Sequence, residues 1–470
     1  MGCMKLDLSF QEIFQSDIPV SLERFGGSVD EKWIDEALHE TGTASVRRRK
    51  IPATAVVWLV ISMALFRDRS IQEVVSHLGL VLSNKKKDSP DMKSISPGAI
   101  PAARYRVGAA PLQRIFERTA QEWANAAADI DRWKGLSLYG IDGTTFRIPD
   151  TDENREDFTL PASGRGQAGY PQVRLVAMMA LRSHLISAVA FGAYSGKKTG
   201  EHSLSLELWP QLPEQSLIIM DRGLIDYGVF FRLSHGEDGD VSGKKHWLVR
   251  GKKNLNWQTL KSNGPEDELV ELPISAAART KDPSLPKKMV ARIIHYQIPG
   301  HKPEFLLTSL INTEVYPADE IVEMYHERWE IELGYDEIKT HMLERQEALR
   351  SQKPEGIRQE IWGIMLTYNL VRQKMLEVAG EADVEPTRVS FRHSLQLIRV
   401  FCLVEAWTMA PGNLPKRMAG LKEMMSLLIL PERRRNRKYK RHVKIKMSKF
   451  KRNPGRPLRN KPKSYENQLK

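Results

Sequence analysis

Cysteine is almost absent: Cys3 and Cys402 are the only two in 470 residues. That excludes a disulfide framework and any cysteine-built zinc fold. The 12 histidines show no H-x-x-x-H or cysteine-paired ligand spacing, so no zinc motif is read from them. Long apolar runs are also missing. The longest, residues 54–66, is closed by Arg67, well short of the roughly 20 residues a membrane-spanning helix needs. It reads as a buried helix, and no membrane span is expected. The first residues carry no apolar stretch before a small-residue cleavage site, so no secretory signal is read and the cytoplasm is the expected compartment. The glycine and lysine cluster Gly192, Gly196, Lys197 and Lys198 lacks the spacing and the Ser/Thr of a P-loop, so nucleotide hydrolysis is not expected. What is present is 41% apolar and 27% charged residues, enough for two to four domains with real cores.

The net charge is +13, and its location matters more than its size. Residues 432–463 hold 16 basic residues and one acid, so this tail alone exceeds the total and the remainder is close to neutral. Such a segment cannot bury a core and must stay solvated or lie on a polyanion, for which nucleic acid is suited. A solubilising tail, or a ribosome or membrane-surface contact, is the competing reading. The clusters at residues 47–50 and 85–87 decide nothing by themselves.

Residues 1–127 read as mostly helical, with apolar spacing of three to four at 51–66, 70–80 and 110–127. Ser96 and Pro97 are expected to open a short helix carrying Arg104 and Arg106, which Pro101 would disrupt if it were continuous. This region suits a helix-turn-helix reader or a plain helical bundle equally. From about residue 135 the pattern turns to strands at 136–141, 173–181, 185–193 and 216–220, with a helix at 201–209. This order suits an α/β core. A second β-rich stretch places strands at 246–250, 268–274, 288–298 and 304–310, and helical texture returns at 318.

Two apolar strands each deliver an aspartate at their expected C-terminal ends, Asp142 and Asp221, where active sites of open α/β sheets form. An aspartate before glycine is also an ordinary turn residue. On one continuous helix over 318–342, Tyr325, Arg328, Glu332 and Lys339 fall within an arc of about 60°. A carboxylate flanked by a phenol, a guanidinium and an ammonium suits a metal-bound phosphodiester; a solvated helix with i, i+4 ion pairs is the alternative. Asp150, Asp152 and Glu153 are expected to be exposed loop acids.

The spacing Tyr325, Arg328, Glu332, Lys339 fits a Y-(2)-R-(3)-E-(6)-K signature, and in this the chain resembles the insertion-sequence-four family of bacterial transposases. The resemblance also covers Thr41 to Thr43, Gly140 to Thr145, Met220 to Gly223, Glu360 to Gly363 and Tyr368 to Arg372, in order along nearly the whole chain. It implies an α/β fold with a ribonuclease-H-like catalytic core, an acidic triad of Asp142, Asp221 and Glu332, and two bound Mg²⁺ or Mn²⁺ ions. It further implies phosphate contacts from Tyr325, Arg328, Lys339 and Arg222. The implied activity is cut-and-paste transposition of double-stranded DNA by a homodimer on terminal inverted repeats, through nicking, hairpin formation and joining. The implied organisation is a helical end-binding domain (1–127), a first core part (128–235), a β-rich insertion before the glutamate (236–312), a second core part (313–380), a helical C-terminal region (381–430) and a basic tail (431–470). Some relatives stack a flipped base on a tryptophan just before the Leu-Leu-Thr-Ser stretch; here Phe305 stands near that place. An inactive DNA-binding repressor and a metal-dependent nuclease without strand transfer are the competing functions.

Overall fold

The computed structural model describes residues 31–45, 51–77, 98–163, 166–167, 169–235, 245–298, 300–344, 348–408 and 414–431. The basic tail, the clusters at 47–50 and 85–87, and Ser96 with Pro97 lie outside these residues.

The first helices are α1 (Glu31–Glu40), α2 (Ala53–Leu65), α3 (Ile71–His77), α4 (Ala99–Val107), α5 (Ala110–Thr119) and α6 (Asn125–Ile130), with a π-helical turn at Ala120–Ala124 between the last two. The 54–66 run is buried on every side, since twelve of the thirteen α2 residues are buried. Helix α4 is continuous through Pro101, contrary to the sequence expectation. With Gly98 as N-cap, Pro101 sits in the first turn, where its missing N–H has no intrahelical partner to lose. Its Arg104 is buried and donates to Gln359 Oε1 (2.8 Å) and Ser351 Oγ (2.9 Å), so it ties the helix inward.

The sheet has nine strands: β1 (Ser137–Arg147), β2 (Gln172–Ala180), β3 (Ile186–Ala193), β4 (Ser216–Met220), β5 (Lys245–Arg250), β6 (Gln258–Gly264), β7 (Asp267–Pro273), β8 (Lys288–Tyr296) and β9 (Glu304–Thr308). Their spatial order is β3-β2-β1-β4-β5-β9-β8-β7-β6. Strand β4 runs parallel to both β1 and β5, while the remaining neighbours pair antiparallel. The second β-rich stretch thus continues the same sheet beyond β5. Strand β6 was not foreseen: it is a solvated edge strand whose residues, Leu260 and Lys261 among them, are mostly exposed and show no apolar alternation.

Short helices α7 (Asp152–Phe158), α8 (Glu201–Ser205), α9 (Tyr227–His235) and α10 (Ala276–Lys281) decorate the sheet, and α11 (Ala318–His326), α12 (Trp329–Asp336), α13 (Pro354–Glu381), α14 (Phe391–Thr408) and α15 (Leu414–Ser426) follow it. Side chains alternate across the strands, so the two faces feed two apolar clusters. Leu138, Leu217, Ile219 and Leu248 join one with α2, α12 and α13; Tyr139, Ile141, Ile218 and Met220 join the other with α8 and α9. Gly363 of α13 lets α2 approach closely, because a Cβ there would come within 2.5 Å of Val60 Cγ1. A buried ionic knot closes this junction. Glu360 accepts from Arg67 (3.3 Å), the Arg350 amide (3.0 Å) and Ser351 Oγ (2.5 Å).

Candidate active site

Asp142 does not end its strand, as the sequence suggested. Strand β1 runs on to Arg147, and Asp142 pairs with Ala177 of β2. What ends is its parallel neighbour: the β1–β4 ladder stops at Ile141 opposite Met220. Asp221 is the next residue on β4, so the two carboxylates leave adjacent parallel strands, about 5 Å apart by strand spacing. Alternation directs both away from the face of Ile141 and Met220, toward the face that α12 covers. Ile331 of α12 packs above Gly140, and Tyr335 donates to the Asp142 carbonyl (2.7 Å) and accepts from the Ala177 amide (3.2 Å).

The expected single helix over 318–342 is in fact three pieces. It tightens at residues 327–331 through i to i+3 bonds, Arg328 N to Tyr325 O (3.2 Å) and Glu330 N to Glu327 O (2.9 Å), and turns π-helical at Glu337–Met342. The four signature side chains therefore do not share one uniform helical phase. Arg328 donates to Glu332 (2.7 Å), and both are partly buried on the acids' face. Tyr325 is buried, and its burial raises the phenol to about 12, with Arg328 and Arg250 opposing and Asp221 adding to the rise. Lys339 is half-buried, with its ammonium 5.7 Å from the centre of the Phe146 ring. Phe146 lies four residues beyond Asp142 on the same strand face, about 13 Å away. Arg222 is exposed and borders an open cleft with Asp221, Gly223, Lys252, Lys253 and Asn254. Phe305 is not among them. It lies on the opposite sheet face, its ring against Gly251 and near Trp257 (5.5 Å) and His295 (5.7 Å).

Two residues absent from the sequence reading join the site. Arg250 closes β5 and reaches Asp221 (3.4 Å). Glu201 opens α8 and packs its carboxyl against Gly143, where a Cβ would come within 2.5 Å of it. Neither belongs to a local motif; only the strand order β1-β4-β5 and the return of α8 bring them in.

Burial raises the Asp142 carboxyl to about 6; the Gly143 amide (2.8 Å) and Arg328 oppose this, and Glu201 and Glu332 reinforce it. Burial is the main cause, and Arg328 and Arg250 each pair with one of the other two acids. Among the described residues no three His, Cys, Asp or Glu side chains converge as a finished metal cage. The donor chemistry nevertheless fits a hard divalent cation, because Asp142, Asp221 and Glu332 offer only oxygen and a cation beside Asp142 would offset the burial that raises its carboxyl.

Two family models match the chain: insertion element 4 transposase N-terminal over residues 19–117, and transposase DDE domain over residues 133–370. The second spans more than half the sequence. The chain belongs to the insertion-sequence-four family of DDE transposases. Transposase InsG for insertion sequence element IS4 of Escherichia coli strain K12 is 35% identical over 91% of this chain and 93% of its own length. The putative transposase InsZ of the same organism is 30% identical over 58% of this chain and 81% of its own. A piggyBac transposase synaptic complex with hairpin DNA aligns with a TM-score of 0.40 and 11% identity, covering 90% of this chain and 85% of that one. That similarity is too low to transfer geometry. This DDE transposase is accordingly an enzyme acting on DNA, built on a mixed α/β fold with one large sheet. No helix among its described residues is long and apolar enough to cross a membrane.

Proposed function

We propose that this transposase binds the terminal inverted repeats of its own element as a homodimer and moves the element by metal-dependent cut-and-paste cleavage and strand transfer. Asp142, Asp221 and Glu332 are the catalytic acids and would hold two Mg²⁺ or Mn²⁺ ions. The observation that carries this reading is the departure of Asp142 and Asp221 from adjacent parallel strands onto the one face where α12 presents Arg328 and Glu332. The arrangement β3-β2-β1-β4-β5, antiparallel up to β1 and parallel beyond it, supports a ribonuclease-H-like core, with β6–β9 as the insertion ahead of Glu332. The helices before residue 127 would contact the ends, and those after residue 380 would contribute to pairing.

When bound, the ions supply Lewis-acid stabilisation of the entering and leaving oxygens of the displacement. The chain's own groups do the positioning. Arg328 offers a planar fork to non-bridging phosphate oxygens, Arg250 and Arg222 add charge at the Asp221 side, and Lys339 acts as a point charge further along β1. Tyr325 stays protonated and lends a hydrogen-bond donor beside Arg328.

The test is a cleavage and joining assay with Mg²⁺ on linear DNA that carries the element's end flanked by donor sequence. Nicks at the end followed by joined products are expected. Cleaved ends that are never joined would leave a nuclease, and end binding without any cleavage would leave a repressor.

A further inference from the structure

The glycine and lysine segment that fails as a P-loop has a defined place in the fold. Residues 194–200 connect β3 to α8, and their shape is fixed from three sides. Arg174 donates to the Thr199 carbonyl (2.9 Å) and lies 4.3 Å from the centre of the Tyr194 ring. Thr159 donates to the Ser195 carbonyl (2.9 Å), and Thr199 to that of Gly196 (3.0 Å). Gly196 (φ 137°) and Lys198 (φ 60°) both take left-handed backbone, which a featureless linker has no reason to hold.

This held loop presents Lys197 and Lys198, both exposed, and neither is in an ion pair among the described residues. Its far end leads directly into Glu201, whose carboxyl rests on Gly143 beside Asp142. Three residues of chain reach at most about 11 Å, so the Lys198 Cα lies within that distance of the Glu201 Cα. A duplex rises 3.4 Å per base pair on each strand, so about 11 Å corresponds to roughly three base pairs.

We infer that residues 194–200 form a phosphate-gripping loop for duplex DNA at the edge of the catalytic centre, with Lys197 and Lys198 as the contacts and Arg174 as the residue that positions them. The inference rests on Asp142 belonging to the catalytic centre. The loop grips the backbone of whichever duplex occupies that edge: element end, donor flank or target.

The test compares full-length wild-type protein with Lys197→Ala/Lys198→Ala, measuring affinity against salt concentration on three duplexes: an element end trimmed at the cleavage point, the same end extended by donor flank, and an unrelated target sequence. Losing one or two phosphate contacts lowers the slope of log affinity against log salt by about 1 to 2 on at least one duplex. Lys197→Arg/Lys198→Arg restores it. The duplex that shows the drop identifies which DNA the loop holds. Slopes that match the wild type on all three overturn the inference. Failure of the inverted-repeat reading looks different: the wild type would then not distinguish end from unrelated duplex, while the slope change would appear equally on both.

Discussion

Asp142 and Asp221 sit one strand apart yet in different surroundings. Asp142 is mostly buried, its carboxyl raised to about 6 and bonded to one amide, whereas Asp221 is more open and paired with Arg250. Glu332 is held by Arg328. If these three are the acids that position divalent ions, Asp142→Asn, Asp221→Asn and Glu332→Gln should each reduce Mg²⁺-dependent cleavage by on the order of 10³-fold, the rate equivalent of several kcal/mol. End binding, followed by gel shift, should persist, and normal cleavage by any one variant would refute its assignment. Arg250→Ala removes the cation beside Asp221 without touching the apolar core. Loss of one charge-assisted contact, about 1.5 to 3 kcal/mol, predicts a fall of roughly ten- to a hundredfold in single-turnover cleavage.

Helix α12 is gripped at both ends by one buried network. His184, in the β2–β3 turn with φ 59°, contacts Glu330 (2.8 Å) and Glu337 (3.4 Å); Arg372 of α13 pairs with Glu337. Tyr368 adds a hydrogen bond to Glu337 (2.8 Å). Glu332 and Arg328 therefore ride on a segment fixed to the sheet and to α13 together. Burial pushes the Glu337 carboxyl up, but Arg372 and His184 outweigh it and hold it at about 2. A carboxyl depressed from about 4.3 stabilises the fold fully above that value, and the contribution is lost as pH falls toward 2. Urea unfolding at pH 6, 4 and 2.5 should show this loss, and Glu337→Gln, already destabilised at neutral pH, should show a flatter dependence below about pH 4.5. An unchanged slope in the variant would remove Glu337 as the source.

Across the whole molecule, the apolar cluster that holds α12 continues through α2, α5 and α13, so the N-terminal helices and the sheet face under α12 share one packed interior. Glu360 anchors this junction among Arg67, Arg350 and Arg104; against the burial that raises it, the charges of Arg67 and Arg104 and the hydrogen bonds of the Arg350 amide and Ser351 hold its carboxyl below the usual range. Glu360→Ala would leave those guanidinium groups buried without their counter-charge. A loss of about 3 to 5 kcal/mol is expected, read as a lowered denaturation midpoint. The basic tail belongs to the same scale through its charge: deleting residues 432–470 should flatten the salt dependence of DNA affinity, because fewer counterions are displaced. An unchanged slope would place the tail away from DNA.

The sequence by itself determined the buried helix α2, the strand Ser216–Met220 and most other strands, because runs of apolar residues dictate burial wherever they occur. The Tyr325 to Lys339 spacing also exposed the family, since side-chain types at fixed separations survive without any view of packing. Only tertiary structure decided the rest. The solvated edge strand β6 has no apolar pattern to betray it, and exists because β7 offers a free ladder. The breaks on either side of α12 coincide with contacts to His184 and Arg372, which are distant in sequence, and no proline or glycine marks the residues where the helix tightens. Asp142 becomes a site residue in mid-strand because β4 stops beside it, and Arg250 and Glu201 reach it through strand order and a returning helix. Such long-range juxtapositions leave no local periodicity, which is why they cannot be read along the chain.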